Sequence, residues 1–515
     1  MSEQPRQNAL TIQVAALTVL GALVRFLALG RHELWLDEAF RILWAIEPNT
    51  SLWEQATVGH AGSVFTTWLS GFVWPRGHSF FFMRALQALC STACIPLFYL
   101  LARRYLGGRA LLGALALLTL SPMHVAIARQ AEEYAFLVLF ALLATLLVTQ
   151  VIETRRVETK TLLAFGAVSL SGFLSGGYML LPWFAALAIS LVWLLRGELK
   201  ARDWVLLTAS QLPMVAVFLY SLSFWAIDPR PEIPAYLAFM RDWVQLGSPT
   251  RPTNVLADLF FYGQLWSWGP HVGRWVVASE FALALCLLYF LWRGHRSLRE
   301  KGAPGVLPAL SVLVFVLVNG AIFLKYSGLP FYFSRVYSPA TFFLFILLAE
   351  GLRTSLREVA WGFSLLFAAL VLLSTTALKL EVHPARPILF RNLIAEVAAR
   401  SVKNPVYVHP GELADVIRLE TRDSGLEFVG VWSDSFATPE ATISLDERMS
   451  DEALRAWAGR VAQSGSCLLL IDYFVEGHDP DGVLRGALEK DYGYTLSKGT
   501  WAIPLYCPGE TKEGG

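Results

Sequence analysis

Residues 9–29 form an apolar run long enough to cross a bilayer, and similar runs recur at 79–101, 110–128, 131–151, 161–180, 181–195, 204–225, 275–292, 306–324, 335–350 and 359–378. A hydrocarbon core about 30 Å thick is spanned by about 20 apolar residues in a helix. Backbone polar groups in lipid must be satisfied within the chain, so runs of this length are read as packed helices. The pattern predicts about eleven spans. Composition agrees, with 55% hydrophobic and 16% charged residues, against about 25% charged in a soluble domain. A formal net charge of +1 argues against nucleic acid as a partner. The first run is too long for a typical signal-peptide core and lacks a small-residue exit before Arg25, so it reads as a retained span.

Lys and Arg in short loops set the orientation. Arg103, Arg104 and Arg109, then Arg155, Arg156 and Lys160, then Arg196, Lys200 and Arg202 lie in alternate connections. Arg293, Arg296, Arg299 and Lys301, and finally Arg353 and Arg357, continue the alternation. One face is therefore expected to be cytoplasmic, with the N-terminus on it. An odd span count puts residues 31–78, 226–274 and the C-terminal tail outside, in an inner or plasma membrane. The 31–78 loop has a Trp and Leu pattern suited to interfacial helices. The 226–274 loop is broken by prolines and carries Arg230, Arg241, Arg251 and Arg274. Long loops are exempt from the charge rule, and these cations also suit lipid phosphate.

The composition changes near residue 380. Charges become frequent, and β-rich stretches (405–408, 426–431, 467–471, 501–506) alternate with helix-like ones (390–400, 412–420, 451–461, 482–489). This predicts two parts: a transmembrane domain over 1–379 and a small extracytoplasmic α/β domain over 380–515. Ser450 before Asp451 and Glu452 reads as an N-cap. Neither a G-x-G-x-x-G nor a phosphate-binding loop marks a nucleotide site. Cys90, Cys94 and Cys286 fall inside apolar runs, whereas Cys467 and Cys507 share the C-terminal part, where a disulfide could persist.

Three polar clusters interrupt the apolar pattern. Asp37 and Glu38 follow the first span, bracketed by Trp35, Phe40 and Trp44. Carboxylates at a membrane surface need hydration or a partner; they serve either as acidic residues at a helix start or as a catalytic base. Ser121, Pro122 and His124, with Arg129, Gln130, Glu132, Glu133 and Tyr134, form the second cluster. On a helix Arg129 would neighbour Glu132 and Glu133, as an ordinary ion pair or as part of a site facing Asp37. The third cluster is the stretch 325–339, where Arg335 opens an apolar helix. It either snorkels to the interface or holds a phosphate.

The order of these elements resembles the GT-C superfamily of membrane glycosyltransferases. Within it, the likeness is to the protein O-mannosyltransferase and lipid A aminoarabinose transferase branch and its bacterial family 39-type relatives. The matching residues are Arg25 late in the first span, then Trp35-Leu36-Asp37-Glu38-Ala39, and His60 with Trp68. Gly77, Ser79 and Arg84 follow, then Arg103-Arg104-Tyr105-Leu106-Gly107, Ser121-Pro122, the segment ending at Tyr134, and Arg335, Val336 and Pro339. The likeness covers roughly residues 10–350. The chain departs from the family pattern at Ala61-Gly62, where the family has Pro-Pro, and at Gln130 and Glu132, where it has Glu and Arg. The second carboxylate and its basic partner are then displaced to Glu132 or Glu133 and to Arg129.

The resemblance implies a mainly α, polytopic membrane bundle of GT-C type. It implies an inverting hexosyl- or pentosyltransferase that takes a sugar from a polyprenyl phosphate to an extracytoplasmic lipid, glycan or protein hydroxyl. Asp37 would be the general base, with Glu38, Glu132 and Glu133 as further catalytic candidates. Arg129, Tyr134, Arg335, His60 and Arg84 would bind substrate. No cofactor is expected, and no His/Asp spacing suggests a metal. Two other classes fit parts of the pattern. A lipid or glycan transporter would carry its charges near the midplane of repeated halves. A non-catalytic glycan-binding subunit would share the altered 129–134 segment.

Overall fold

The structure is a computed structural model. It describes residues 3–30, 38, 42, 64–74, 79–176, 180–227, 273–301, 338–355, 405–409, 414, 417, 426–430, 450–470, 481–500 and 503–508. The chain divides into two compact units. One comprises residues 1–32, 44–228 and 249–383; the other comprises 33–43, 229–248 and 384–515.

The first unit is helical. Its elements are α1 (Glu3–Phe26), α2 (Val64–Val73), α3 (Phe80–Ala102), α4 (Gly108–Leu120), α5 (Pro122–Ala128) and α6 (Tyr134–Thr154). They continue with α7 (Thr159–Ser175), α8 (Leu180–Leu195), α9 (Ala201–Ala209), α10 (Leu212–Ile227), α11 (Gly273–Glu300) and α12 (Thr341–Ser355). Among the described residues, three helical stretches are long and apolar enough to cross a membrane: Asn8–Phe26, Phe80–Ala102 and Tyr134–Val151. The pairs α4–α5 and α9–α10 bend by 44° and 42°, and counting each as one span gives five. The sequence predicts one span at each place, over 110–128 and 204–225, without the bend. Pro122 and Pro213 explain the breaks, because a proline has no N–H for the carbonyl four residues earlier and its ring crowds that carbonyl. The expected spans 306–324 and 359–378 lie outside the described residues.

Helix α1 buries one face and leaves an apolar face outward, with Val14, Val24 and Arg25 buried and Ile12, Val19, Leu20 and Leu23 exposed; α5 and residues 341–351 of α12 are buried throughout. An outward apolar stripe of that kind suits lipid rather than water. Helices α11 and α12 cross closely through Gly294 and Gly351. A Cβ on Gly351 would lie 1.9 Å from the Phe290 carbonyl oxygen, and one on Gly294 would lie 1.9 Å from that of Leu347. Small residues let two backbones approach in lipid, where dispersion contacts rather than water exclusion hold helices together. At one end of this pair, the buried Glu350 carboxylate accepts from Ser297 Oγ, Lys301 Nζ and Arg353.

The second unit contains β1 (Val406–His409), β2 (Phe428–Gly430), α13 (Asp451–Ser464), β3 (Leu468–Leu470), α14 (Val483–Asp491), β4 (Tyr494–Thr500) and β5 (Ile503–Pro508). The strands form one sheet in the order β2-β1-β3-β5-β4, parallel across β2-β1-β3 and antiparallel across β3-β5-β4. Leu454, Ala458 and Val461 of α13 pack with Leu484 and Leu488 of α14 and with Leu468 and Leu470 of β3. Ser450 Oγ accepts from the Ala453 amide at 3.2 Å, so the expected N-cap is present. Cys467 and Cys507 form a disulfide between chain segments that the β3–β5 pairing sets opposite each other. Of the expected helices 390–400 and 412–420, only Ala414 and Ile417 are described, and both are buried.

Candidate functional site

A buried arginine lies where α1, α3 and α4 meet. Arg25 is fully buried, and an unpaired cation there would be costly. Its guanidinium donates to carbonyls of Thr119 (3.0 Å), Gly21 (3.2 Å) and Leu118 (3.3 Å), and through Nε to Ser91 Oγ (2.9 Å). The α4 carbonyls of Leu118 and Thr119 need partners for a covalent reason. Pro122 has no N–H for Leu118, and Ser121, at φ −53° and ψ 118°, turns the chain before Met123 can reach Thr119. A cation at a helix C-terminus is also favoured by the helix dipole. Ser121 then begins α5, its hydroxyl accepting from the His124 amide with Pro122 in the first helical position.

The turn after α1 is held from two further elements. Ala28 adopts φ 55°, a left-handed conformation that a residue with a Cβ adopts only at a cost. Arg129 donates to the carbonyls of Leu27 (2.6 Å), Ala28 (3.2 Å) and Arg25 (3.3 Å). Arg84, from the first turns of α3, donates to the Leu29 carbonyl at 3.3 Å. Two sequence candidates are thus brought together on one turn, and each spends donors on main-chain oxygens there. Asp37 lies eight residues beyond Leu29 in the chain.

Residues 129–133 are a non-helical bend between α5 and α6. The helical neighbour relation that would pair Arg129 with Glu133 does not apply, because the chain turns at the α5 C-cap, where Arg129 has φ −105° and ψ 9°. Gln130, Glu132, Glu133 and Tyr134 are all buried. Glu133 stands immediately before α6, where a carboxylate meets the positive end of the helix dipole. Glu38 is helical and buried in the second unit. Asp37, His60 and Arg335 lie outside the described residues.

One group in this region was quoted in the sequence but given no role. His124 is fully buried, with its Nε2 2.6 Å from Thr341 Oγ1, and its carbonyl accepts from Ser91 Oγ at 3.3 Å. Ser91 and Thr341 carry no sequence signal. A hydroxyl in an apolar helix usually bonds back into its own helix, as Thr92 does to Ala88.

Residues 64–225 match the family model described as dolichyl-phosphate-mannose-protein mannosyltransferase, a stretch that includes Arg84, His124, Arg129 and Tyr134. No curated protein sequence gives a significant match. Among solved structures, ArnT from Cupriavidus metallidurans in the apo state superposes with a TM-score of 0.57 at 16% identity, over 97% of this chain and 98% of that one. The same enzyme bound to undecaprenyl phosphate superposes at 0.53 and 14% identity, over 99% of each chain. The chain has the GT-C fold. Archaeoglobus fulgidus oligosaccharyltransferase AglB, at a TM-score of 0.48 and 11% identity, covers 98% of this chain and 74% of its own. In this chain the arginine-held turn after the first apolar helix is followed in the sequence by the segment carrying Asp37 and Glu38.

Proposed function

We propose that the chain is a glycosyltransferase that moves a sugar from a polyprenyl phosphate to an extracytoplasmic hydroxyl, with inversion at the anomeric carbon. The observation that carries this reading is the sequence Trp35-Leu36-Asp37-Glu38-Ala39, directly after the first apolar helix of a GT-C fold. The mannosyltransferase match over 64–225 and the undecaprenyl phosphate bound to ArnT support the donor class.

The reaction needs two things from the chain. Asp37 takes the proton of the acceptor hydroxyl as that oxygen bonds to the anomeric carbon; a positioned base contributes about 10²–10⁴-fold. The bond from that carbon to the phosphate oxygen breaks, and polyprenyl phosphate leaves with the bonding pair. Arg335 stabilises the growing phosphate charge, for which a preset cation is most effective in a water-poor cavity. Glu38 orients the site. Glu132 and Glu133 are further catalytic candidates, and Tyr134 and His60 are candidates for binding substrate.

About eleven spans with the N-terminus in the cytoplasm put residues 380–515 outside. The Cys467–Cys507 disulfide supports that side, since disulfides persist in oxidising compartments. Mass spectrometry of lipid copurifying with the protein, followed by turnover with the labelled lipid, tests the reading. Release of free polyprenyl phosphate coupled to acceptor labelling is expected. Movement of intact lipid-linked sugar across vesicles without its cleavage would instead identify a transporter.

A further inference from the structure

We infer that His124 is a positioning residue, which pins the start of α12, and with it the segment carrying Arg335, to the rest of the helical unit. This rests on the proposed transferase reading for its catalytic consequence, although the pin itself is independent of it. The observation is a series of buried hydrogen bonds that meet at His124, one part at its carbonyl and the other at its ring. Arg25 Nε donates to Ser91 Oγ at 2.9 Å, and Ser91 Oγ donates to the His124 carbonyl at 3.3 Å. His124 Nε2 and Thr341 Oγ1 are 2.6 Å apart, and Thr341 Oγ1 donates to the Ser338 carbonyl at 2.5 Å.

The direction of the hydrogen bonds follows from proton bookkeeping. The Thr341 hydroxyl has one proton, which goes to Ser338. Thr341 Oγ1 therefore accepts from His124, whose ring carries its proton on Nε2. Arg25, Ser91, His124, Ser338 and Thr341 are each at most 1% exposed, so water has no access to replace a lost link. In such surroundings each hydrogen bond is hard to substitute.

Packing does not account for the imidazole. The ring lies against Phe342 and Phe345, with centroids 5.8 and 6.1 Å away, a setting that a phenyl ring would also fill. Nδ1 has no hydrogen-bond partner among the described residues, which penalises a histidine relative to phenylalanine. What the imidazole adds is the Nε2 donor within reach of Thr341. The two ends of the series are close in sequence to the proposed catalytic residues. Arg25 precedes the turn that leads to Asp37, and Ser338 lies three residues after Arg335.

Three variants of the full-length protein test this. His124→Phe keeps the packing and loses the donor, Thr341→Val loses the acceptor, and His124→Gln keeps an amide donor near the Nε2 position. The first readout needs no activity: amide hydrogen exchange over residues 338–341. One lost hydrogen bond, about 1.4 kcal/mol, corresponds to about tenfold faster exchange there in His124→Phe and Thr341→Val. His124→Gln should stay near wild type, and the double variant His124→Phe/Thr341→Val should be no faster than either single one. The second readout is turnover. His124→Phe should raise the donor KM and lower kcat/KM about tenfold, and should have no further effect in an Arg335→Ala background. Unchanged exchange in His124→Phe would overturn the inference, as would single effects that multiply in the double variant. If His124→Phe does not fold, Thr341→Val compared with Thr341→Ser makes the same test. Faster exchange in a protein that cleaves no lipid-linked sugar would support the pin and refute the transferase reading.

Discussion

Arg129 Nη1 donates to the Leu27 carbonyl at 2.6 Å, so a residue in the bend between α5 and α6 closes the end of α1. Removing that cation frees the carbonyls of Arg25, Leu27 and Ala28 together. Arg129→Ala should lower stability by about 1.5–3 kcal/mol, the range for hydrogen bonds to a charged group. Arg129→Lys should recover part of this, since one ammonium cannot reproduce the planar fork. Thermal unfolding in detergent measures the stability change, and amide exchange over 25–30 locates it. A stable Arg129→Ala protein with a large rise in donor KM would instead place Arg129 on the donor phosphate.

The α11–α12 crossing depends on the absence of two side chains. Gly351→Leu should cost about 1–3 kcal/mol or more, because the new Cβ meets a backbone oxygen that cannot move aside alone. Gly113→Leu is the matched control: a Cβ there meets nothing within 4 Å. A thermal midpoint lowered in both variants equally would show that the crossing is not the cause.

In the second unit the buried Tyr494 hydroxyl lies 2.7 Å from the Ser466 carbonyl and 3.1 Å from that of Val461. Burial, and to a lesser degree Tyr407, pushes its pKa up from 10.0 to about 12. The folded state thus favours the neutral phenol. Its contribution is complete below pH 10 and is lost as pH rises through about 12. Tyr494→Phe should destabilise this unit by about 1–3 kcal/mol near neutral pH. The gap between variant and wild type should shrink above pH 10, read by amide exchange across β3 and β5.

Arg335 separates two physical roles. A phosphate ligand uses two parallel N–H donors, so Arg335→Ala should cost donor affinity and rate, and Arg335→Lys should restore only part of either. Snorkelling needs only a long cationic side chain, so Lys would then serve as well as Arg. Donor binding and turnover for both variants distinguish these roles.

The helices were legible because lipid demands long apolar runs, and α1, α3 and α6 overlap the expected spans 9–29, 79–101 and 131–151. The breaks at Pro122 and Pro213 were visible as residues but not as bends, since a proline inside a span, such as Pro96 in α3, need not interrupt it. In the second unit β4 was missed because Ser497, Lys498 and Thr500 make its pattern polar. The Cys467–Cys507 pairing depended on the β3–β5 register, which spacing does not reveal. At the site, the charged residues stood out, but their partners did not. Arg25, Arg84 and Arg129 bind main-chain oxygens, and only the folded chain shows which carbonyls the helix ends leave open. His124 looked incidental for the same reason: its partner Thr341 is 217 residues away.

Transfer by Asp37→Asn compared with wild type is the most direct test of the central claim. The amide keeps the shape of the carboxylate but cannot take the acceptor's proton. Both proteins would be given the same labelled polyprenyl-phosphate sugar, with folding checked by thermal unfolding. The account predicts a folded variant whose turnover falls at least about 100-fold, the lower bound for a positioned base. A folded Asp37→Asn protein that keeps more than about a tenth of wild-type turnover would contradict it.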